Sequence, residues 1–398
     1  MAKILRIINR LNLGGPTYNV ANLTKFLEHS HETLLLSGMK DEDEESSEFI
    51  TDELGLKPMY IKEMYRELNP FKDYKSYKII KKIIDEYKPD IVHTHAAKAG
   101  AIGRLAAINA KVPIVVHTFH GHVFHSYFNP VKTKAFLEIE RYLAKKTDAI
   151  VTLSQIQKDE LINHFKIAKD EKFNIIPLGF DLTRFATNNL EKRKKFFAEN
   201  NINENEVTIG IIGRLVPIKN HHFFLKIISN ILPITSKKIR VFIFGDGELK
   251  NELYEYCKEL NLKFDTTETN TQQTIKFYSW IKEADIAVSA MDILCLTSKN
   301  EGTPVALIEA QAGGTPFVTT DVGGIKDIVA NGKTGFVVPN YDETAFTSAL
   351  LKMIEDDILR NEMRHAGREF AIKKFSHLRL AADMDVLYKK LMLQKGLI

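Results

Sequence analysis

The chain has 398 residues, 44% of them hydrophobic and 27% charged, which is typical of a globular protein and excludes a disordered or fibrous chain. A chain of this length exceeds what one hydrophobic core usually serves, so we expect two domains of similar size. The formal net charge of +4 is too small to indicate nucleic-acid binding, although it permits contact with an acidic membrane surface.

The sequence carries no signal for export or for membrane insertion. Its start enters a strand pattern without the cleavage site of a signal peptide, and no apolar run approaches the roughly 20 residues that span a bilayer. Cys257 and Cys295 both lie in segments with regular apolar periodicity, so we expect buried thiols rather than a disulfide. These features predict a cytoplasmic protein.

Apolar strand patterns alternate with helical ones along most of the chain, which predicts parallel sheets covered by helices on both faces. The first such unit is a strand over residues 3–9, a loop over 10–17 and a helix to about Glu28. Open α/β sheets bind ligands in loops of this kind, beyond the carboxyl end of a strand. Gly14 and Gly15 would let the backbone approach a phosphate or a sugar, and a plain tight turn explains them equally well.

Two charged stretches follow this first unit. Residues 41–48 are acidic or serine, which predicts a solvated surface turn. Residues 69–88 predict a helix in which five lysines stand among apolar residues: Lys72, Lys75, Lys78, Lys81 and Lys82. Such a basic amphipathic helix is compatible with a solvated face and with contact to an anionic membrane surface.

Histidines gather where two predicted strands end. The strand over residues 90–93 leads to His95 and a helix of small residues, and the strand over 113–117 leads into Thr118-Phe119-His120-Gly121-His122-Val123-Phe124-His125. Clustered histidines suggest a metal site, since imidazole is the commonest metal ligand. Their spacing matches neither a helical i, i+4 pair nor a zinc finger, and no cysteine is near, so we expect no metal.

The second half of the chain repeats the plan of the first. A polar stretch over residues 187–206 predicts an interdomain connection, and the strand over 207–212 leads into Gly213-Arg214-Leu215, which corresponds to Asn9-Arg10-Leu11. Two like units predict two doubly wound domains with a cleft between them. Arg214 and Lys219 flank a helix start at a strand end, where both could hold a diphosphate.

The stretch over residues 297–310 is the most informative part of the sequence. It follows a short apolar strand over residues 292–296 and turns into a helix that we expect Pro304 to open. The free backbone N–H groups of Gly302, Thr303 and Val305 would favour an electron-rich ligand. Glu301 and Glu309 could accept hydrogen bonds from the hydroxyl pairs of a sugar or a ribose. By themselves, two glutamates also fit an amphipathic helix with a solvated Glu309.

The spacing of those glutamates, the surrounding Ser-x-x-Glu-Gly, and the glycine pairs at 313–314 and 323–324 resemble the signature of the family-four (group 1) retaining glycosyltransferases. Thr118-Phe119-His120 and the Gly-Arg-Leu followed by Lys219 resemble two further motifs of that family. The matches run in the same order over nearly the whole chain. They are most similar to the subtype that builds bacterial surface polysaccharides.

This resemblance implies a GT-B fold, in which two doubly wound, Rossmann-like α/β domains face a cleft. Residues 1–185 would form the acceptor-side domain and residues 186–375 the nucleotide-sugar-binding domain. Residues 376–398 would form a helix that crosses back to the N-terminal domain.

The resemblance also implies a reaction. A hexosyl or N-acetylhexosaminyl group would move from a nucleotide diphosphate, most often uridine diphosphate, to a hydroxyl of a saccharide or lipid-linked saccharide, with retained anomeric configuration and without a metal or other cofactor. The products would be O-antigen, capsule or exopolysaccharide, made in the cytoplasm or at the inner face of the membrane. A glycosidase-like covalent path is not favoured, because both carboxylates would be occupied by hydroxyl groups.

The candidate functional residues of this chain, from the family motifs and from their positions after strands, fall into three groups. The catalytic group is His120, Arg214, Lys219 and Glu301. The donor-binding group is Gly14, Gly15, Gly245, Trp280, Ile281, Gly302, Thr303, Val305 and Glu309. The acceptor-side group is His95, His122 and His125.

The chain departs from the family pattern at two points. Ser279 precedes Trp280 where relatives often have glycine, which leaves the identity of the base open. Pro304 replaces a frequent glycine, so one backbone donor is missing and the hydroxyl of Thr303 would compensate.

Two other functions stay open on the sequence. One is a sugar-nucleotide epimerase on the same architecture, and the other is a non-catalytic sugar-nucleotide-binding protein. The intact set of candidate catalytic residues argues against the second.

Overall fold

The computed structural model describes residues 1–12, 15–39, 47–65, 67–121, 130–267, 269, 271–279 and 283–398. The chain divides into two compact units. Unit 1 consists of Met1–Phe180 and Phe375–Ile398, and unit 2 consists of Asp181–Lys374. The predicted acidic turn over residues 41–48 lies mostly outside the described residues.

Each unit is built on a seven-stranded, entirely parallel sheet. The strands of unit 1 are β1 (Ala2–Ile8), β2 (His31–Gly38), β3 (Met59–Ile61), β4 (Ile91–His95), β5 (Ile114–Thr118), β6 (Ala149–Thr152) and β7 (Phe173–Ile175). Those of unit 2 are β8 (Val207–Ile212), β9 (Ile239–Phe244), β10 (Phe264–Asp265), β11 (Ile275–Tyr278), β12 (Ile293–Leu296), β13 (Phe317–Thr320) and β14 (Gly335–Val338). The strands are mostly continuous apolar runs because helices cover both faces of each sheet.

The helices are α1 (Gly15–Phe26), α2 (Glu48–Glu53), α3 (Pro70–Tyr87), α4 (Ala97–Asn109), α5 (Pro130–Lys146), α6 (Gln155–Asp159), α7 (Thr183–Ala186), α8 (Asn189–Glu199), α9 (His221–Ile231), α10 (Lys250–Glu259), α11 (Ala284–Ala290), α12 (Val305–Gly313), α13 (Ile325–Ile328), α14 (Glu343–Glu355), α15 (Asp357–Phe375) and α16 (His377–Gln394). No helix within the described part of the chain is long and apolar enough to cross a membrane.

The strand orders are β3-β2-β1-β4-β5-β6-β7 and β10-β11-β9-β8-β12-β13-β14. In each sheet the first strand of the unit lies in the interior, and the order of the chain reverses beside it. These reversals fall between β1 and β4 and between β8 and β12. Loops at the carboxyl ends of such strands form the ligand-binding crevices of doubly wound sheets, so the fold places residues 213–220 and 297–304 together in unit 2.

The last helix belongs to the core of unit 1, as expected for a helix that returns to the N-terminal half. Leu380, Met384 and Leu387 of α16 are buried together with Ile4 of β1 and Ile91 of β4. The return begins where the backbone N–H of Phe180 donates to the carbonyl of Phe375 at 2.8 Å. Unit 1 is therefore assembled from two separate parts of the chain.

The structure differs from the sequence-based expectation over residues 187–206. This polar stretch was expected to be a connection, yet it contains α8, which is part of unit 2. Phe196 and Phe197 are buried, and the guanidinium of Arg193 donates to Asp292 at 2.9 Å. Two buried phenylalanines and the ion pair of Arg193 dock this helix, although most of its other side chains are polar.

Candidate functional site

The carboxylate of Glu301, in the loop after β12, is the centre of a polar cluster in unit 2. The ammonium group of Lys219 lies 2.6 Å from its Oε1 atom, and the hydroxyl of Ser298 donates to the same atom at 2.6 Å. The side chains of Lys219 and Glu301 are only 24% and 10% exposed. Partial burial strengthens this ion pair relative to one in open solvent.

The backbone ties together the two loops that carry this pair. The N–H of Lys299 donates to the carbonyl of Ile218 at 2.8 Å, and the hydroxyl of Thr297 donates to the carbonyls of Lys219 and Asn220, each at 3.1 Å. Asn220 adopts the left-handed conformation, with φ 55° and ψ 48°, just before α9. The loop after β8 is thereby held against the loop after β12, and Lys219 is brought to Glu301.

Arg214 lies on the same loop in a different situation. Its side chain is exposed and forms no ion pair with any residue that the structure describes. The neighbouring backbone is nevertheless fixed, because the N–H of Leu215 donates to the carbonyl of Asp246 at 2.9 Å. The backbone of Arg214 is thus fixed, while the charge of its side chain is available to a ligand.

The start of α12 presents a group of free backbone donors. The helix begins at Val305, and Pro304 is its N-cap residue rather than its first residue, with its carbonyl accepting from the N–H of Leu307 at 3.1 Å. The expectation that Pro304 opens the helix is therefore wrong by one position. The N–H groups of Gly302, Thr303, Val305 and Ala306 have no acceptor among the described residues. Such a cluster at a helix N-terminus favours an anion.

Two glycines allow the loops around this site to approach closely. Gly323 has φ +52°, and a Cβ atom there would lie 1.8 Å from the carbonyl oxygen of Glu301. Gly245 has φ +150°, and a Cβ atom there would lie 2.0 Å from the carbonyl oxygen of Gly213. Any larger residue at either position would displace the backbone next to Glu301 or Arg214.

Glu309 lies in α12, about one turn beyond the free donors, and is partly buried. Burial raises the pKa of its carboxyl to about 7, and the nearby Arg184 acts in the opposite direction. One guanidinium nitrogen of Arg184 lies 4.0 Å from Glu309 Oε1. The sequence analysis did not identify Arg184 or Ser298 as neighbours of the two glutamates. The Ser-x-x-Glu spacing was the available signal for Ser298.

Asp246, which follows Gly245, accepts hydrogen bonds from the Ser279 hydroxyl at 2.8 Å, from the Gly247 N–H at 2.8 Å and from the Lys250 ammonium at 3.2 Å. These bonds, that from Ser279 most strongly, lower the pKa of the Asp246 carboxyl. Through its bond to Asp246, Ser279 joins the loops after β9 and β11. Trp280 and Ile281 lie outside the described residues.

The candidate histidines of unit 1 lie at the carboxyl ends of adjacent strands. His95 is the last residue of β4 and is completely buried, and His120 follows β5. Nδ1 of His95 lies 3.0 Å from Nε2 of His120. Burial lowers the pKa of His120 to about 3 and places that of His95 well below its usual value, so both rings are neutral.

The other predicted residues of unit 1 carry less information. Gly15 is the first residue of α1, where an added Cβ atom would lie 3.0 Å from Leu178 Cδ1, so packing within unit 1 limits this position. Gly14, His122 and His125 lie outside the described residues. Among the described residues, no group of three or more His, Cys, Asp or Glu side chains has an arrangement that could hold a metal ion.

Comparisons with known proteins give a consistent result. The family model "Glycosyl transferases group 1" matches residues 192–370, and "Glycosyltransferase Family 4" matches residues 13–184. The UDP-Gal:alpha-D-GlcNAc-diphosphoundecaprenol alpha-1,3-galactosyltransferase of Escherichia coli is 30% identical over 352 residues, which cover 87% of each chain. The capsular polysaccharide biosynthesis glycosyltransferase CapM of Staphylococcus aureus is 28% identical over 337 residues, covering 82% of this chain and 83% of that protein.

Solved structures with low sequence identity share the fold. The crystal structure of Anabaena HepE in complex with UDP matches with a TM-score of 0.78 and 17% identity, covering 98% of this chain and 100% of that one. The two Rossmann-like units described above are therefore those of a GT-B architecture.

Proposed function

The chain belongs to the family 4 (group 1) glycosyltransferases, and on that premise we propose that it transfers a sugar from a UDP-sugar to a hydroxyl of a lipid-linked saccharide, with retained anomeric configuration. The sugar is a hexosyl or N-acetylhexosaminyl group, and the product is a bacterial surface polysaccharide. The names of the relatives support the pathway and the lipid-linked acceptor. The observation that carries the proposal is the cluster of Lys219, Glu301 and free N–H groups in unit 2.

The leaving diphosphate gains negative charge as the bond to the sugar breaks. In the proposed mechanism, the guanidinium of Arg214, the ammonium of Lys219 and the free N–H groups of α12 stabilise that charge. Lys219 is already fixed by Glu301, and the charge of Arg214 is not compensated by any carboxylate among the described residues, so both cations suit this role. With these donors the proposed transfer needs no metal and no other cofactor.

The two glutamates are proposed to orient the donor. Lys219 and Ser298 both contact Oε1 of Glu301, and Oε2 has no hydrogen-bond partner among the described residues. That free oxygen suits a hydroxyl of the donor sugar. Glu309, on the following turn, suits the ribose hydroxyls. Neither carboxylate is proposed as a nucleophile, because both are assigned to binding hydroxyl groups.

The remaining roles are proposed from the family pattern and from position. His120 contacts a hydroxyl of the donor sugar as a neutral ring. Gly245, Trp280 and Ile281 bracket the base, and the UDP complex of HepE supports uracil as that base. His122 and His125 are assigned to the acceptor side.

A lipid-linked acceptor requires the enzyme to work at the membrane surface, and α3 has suitable chemistry. Phe71, at its start, is 83% exposed, and Lys75, Lys78 and Lys82 are exposed on the same side of the helix. We propose that this face contacts the anionic inner surface of the membrane from the cytoplasm.

Vesicle sedimentation tests this contact. The whole chain should bind phosphatidylcholine vesicles that contain phosphatidylglycerol, less so at high salt and less so after Phe71→Asp. Ile358→Asp, which changes the equally placed and 73% exposed second residue of α15, is the matched control. Vesicle binding that changes neither with salt nor with either substitution would contradict the proposed contact between α3 and the membrane.

The test of transfer is acceptor-dependent UDP release. The purified chain is incubated with each of four UDP-sugars, with and without a short-chain lipid diphosphate saccharide. Release should require the acceptor, and nuclear magnetic resonance (NMR) of the product should show the anomeric configuration of the donor. An epimerase would interconvert donor sugars without acceptor, and a binding protein would bind donor without releasing UDP; either result would overturn the proposal.

A further inference from the structure

We propose that His95 is a positioning residue that fixes the orientation and the tautomer of His120. This proposal rests on the proposed function only in giving His120 a role in transfer. The sequence pattern assigned His95 to the acceptor side. Its complete burial, however, leaves the ring no exposed surface with which to touch an acceptor.

The contact between the two rings carries the proposal. Nδ1 of His95 and Nε2 of His120 are 3.0 Å apart, and the ring centroids are 5.3 Å apart with planes inclined by 28°. Nε2 of His95 and Nδ1 of His120 are buried and have no hydrogen-bond partner among the described residues. Within the described part of the chain, the bond to His95 is therefore the one polar contact that orients the His120 ring.

A neutral imidazole carries one N–H and one bare nitrogen, so the bond needs one ring to donate and the other to accept. If His95 donates, the proton of His120 sits on Nδ1. If His95 accepts, Nδ1 of His120 is bare and can only accept. The direction of the hydrogen bond between the two rings thus determines which nitrogen of His120 carries the proton.

His95 is itself held by a neighbouring ring. Its ring packs on that of His93 at 4.2 Å between centroids. His93 is fixed in turn by the Tyr388 hydroxyl, 2.6 Å from Nδ1, and Tyr388 also accepts from Arg6 at 3.1 Å. Because arginine can only donate, the single hydroxyl proton of Tyr388 is left for Nδ1 of His93.

The backbone after His95 is strained. Ala96 has φ 65° and ψ 163°, a region that is otherwise almost restricted to glycine. Strain of this kind persists only where the surroundings enforce it. Here it lies in the sharp corner between β4 and α4 that directs His95 toward the end of β5.

Imidazole NMR of the unliganded chain tests the contact directly. With 15N-labelled histidine, we expect the ring nitrogens of His120 to report a single tautomer. In His95→Leu they should report a mixture. In His95→Asn, whose carboxamide occupies the place of Nδ1, the single tautomer should return. His377→Leu is the control, since it removes another buried imidazole of unit 1 that contacts Phe26 and the carbonyl of Phe180.

Unchanged His120 signals in His95→Leu would refute the proposal. This readout needs no sugar donor, so it stands even if the transferase assignment fails. If His95→Leu does not fold, His95→Ala and His95→Asn allow the same comparison.

Kinetics then test whether the contact matters for transfer. We expect His95→Leu to lower kcat about 10- to 100-fold, the usual cost of losing a group that orients a functional histidine, with little change in KM for the donor. In a His120→Ala background, His95→Leu should cause no further loss, because it acts through a ring that is no longer there. If the loss of kcat in the double variant equals the product of the two single losses, His95 has a merely structural role that is independent of His120, and the proposal is wrong.

Discussion

Replacing Arg214 and Lys219 singly by alanine separates charge stabilisation from structural support. Both variants should lose about two to three powers of ten in kcat, the loss found when one charge-stabilising donor is removed. Only the Lys219 variant should also lose thermal stability. Lys219 is paired with Glu301 at 2.6 Å, whereas Arg214 is exposed and has no ion pair among the described residues.

The size of the stability loss follows from the burial of the pair. Exposed ion pairs contribute about 0.2–1 kcal/mol, and removing one partner of a buried pair costs about 3–5 kcal/mol. With side chains 24% and 10% exposed, the Lys219–Glu301 pair lies between these cases. We expect about 2 kcal/mol for Lys219→Ala, which at about 2–4 °C per kcal/mol lowers Tm by about 4–8 °C. Arg214→Ala should cost less than about 0.5 kcal/mol.

Differential scanning calorimetry without ligand and initial rates of UDP release provide the two measurements. Lys333→Ala, at an exposed lysine of unit 2, is the control and should change neither. In a Glu301→Gln background the stability cost of Lys219→Ala should shrink, since no carboxylate is left unpaired. Wild-type turnover in both alanine variants would refute the diphosphate assignment. Equal losses of Tm in the two alanine variants would show that Lys219 is not held more firmly by the protein than Arg214.

Three further predictions concern unit 2 and the corner after β4. The pKa of the Glu309 carboxyl is raised from 4.5 in the unfolded chain to about 7 in the folded chain. Folding therefore binds a proton when the pH lies between these two values. As pH rises through this window, calorimetry should show UDP affinity increasing and the contribution of Glu309 to stability decreasing; Glu309→Gln should abolish both trends. Gly245→Ala should lower Tm strongly, because its Cβ atom would clash with the carbonyl of Gly213. The Cβ atom of Gly302→Ala would contact nothing within 4 Å, so this variant should keep its Tm while binding UDP more weakly. Ala96→Gly should raise stability by about 1 kcal/mol by relieving strain, and a fall in denaturation midpoint would contradict the backbone conformation.

Much of the fold could be predicted because buried parallel strands are continuous apolar runs. β8 has the bounds that the sequence predicts, residues 207–212. β3 and β10, with three and two residues, are too short to give a pattern. α8 was missed because its few apolar residues are outnumbered by charged ones, so only tertiary packing reveals its buried face.

The candidate site divides in the same way. Strand-end motifs after β8 and β12 suggested that Arg214, Lys219 and Glu301 serve one ligand, and the structure brings Lys219 and Glu301 into contact. Two neighbour pairs could not be predicted from the sequence: Arg184 beside Glu309, and His95 beside His120. The second pair depends on the register of β4 against β5, which aligns His95 with Thr118 and which no local pattern encodes.

Unit 1 is assembled from both ends of the chain, and this has a consequence for biosynthesis. Unit 2 is continuous in sequence, and all of its strands precede α16 in the chain. The sheet of unit 1 must wait for α16, because Tyr388 supplies the hydroxyl that holds His93 and that accepts from Arg6. A chain that lacks this helix would therefore have every strand of unit 2, but a unit 1 in which His93 lacks the support of Tyr388, a state that chaperones and proteases could recognise.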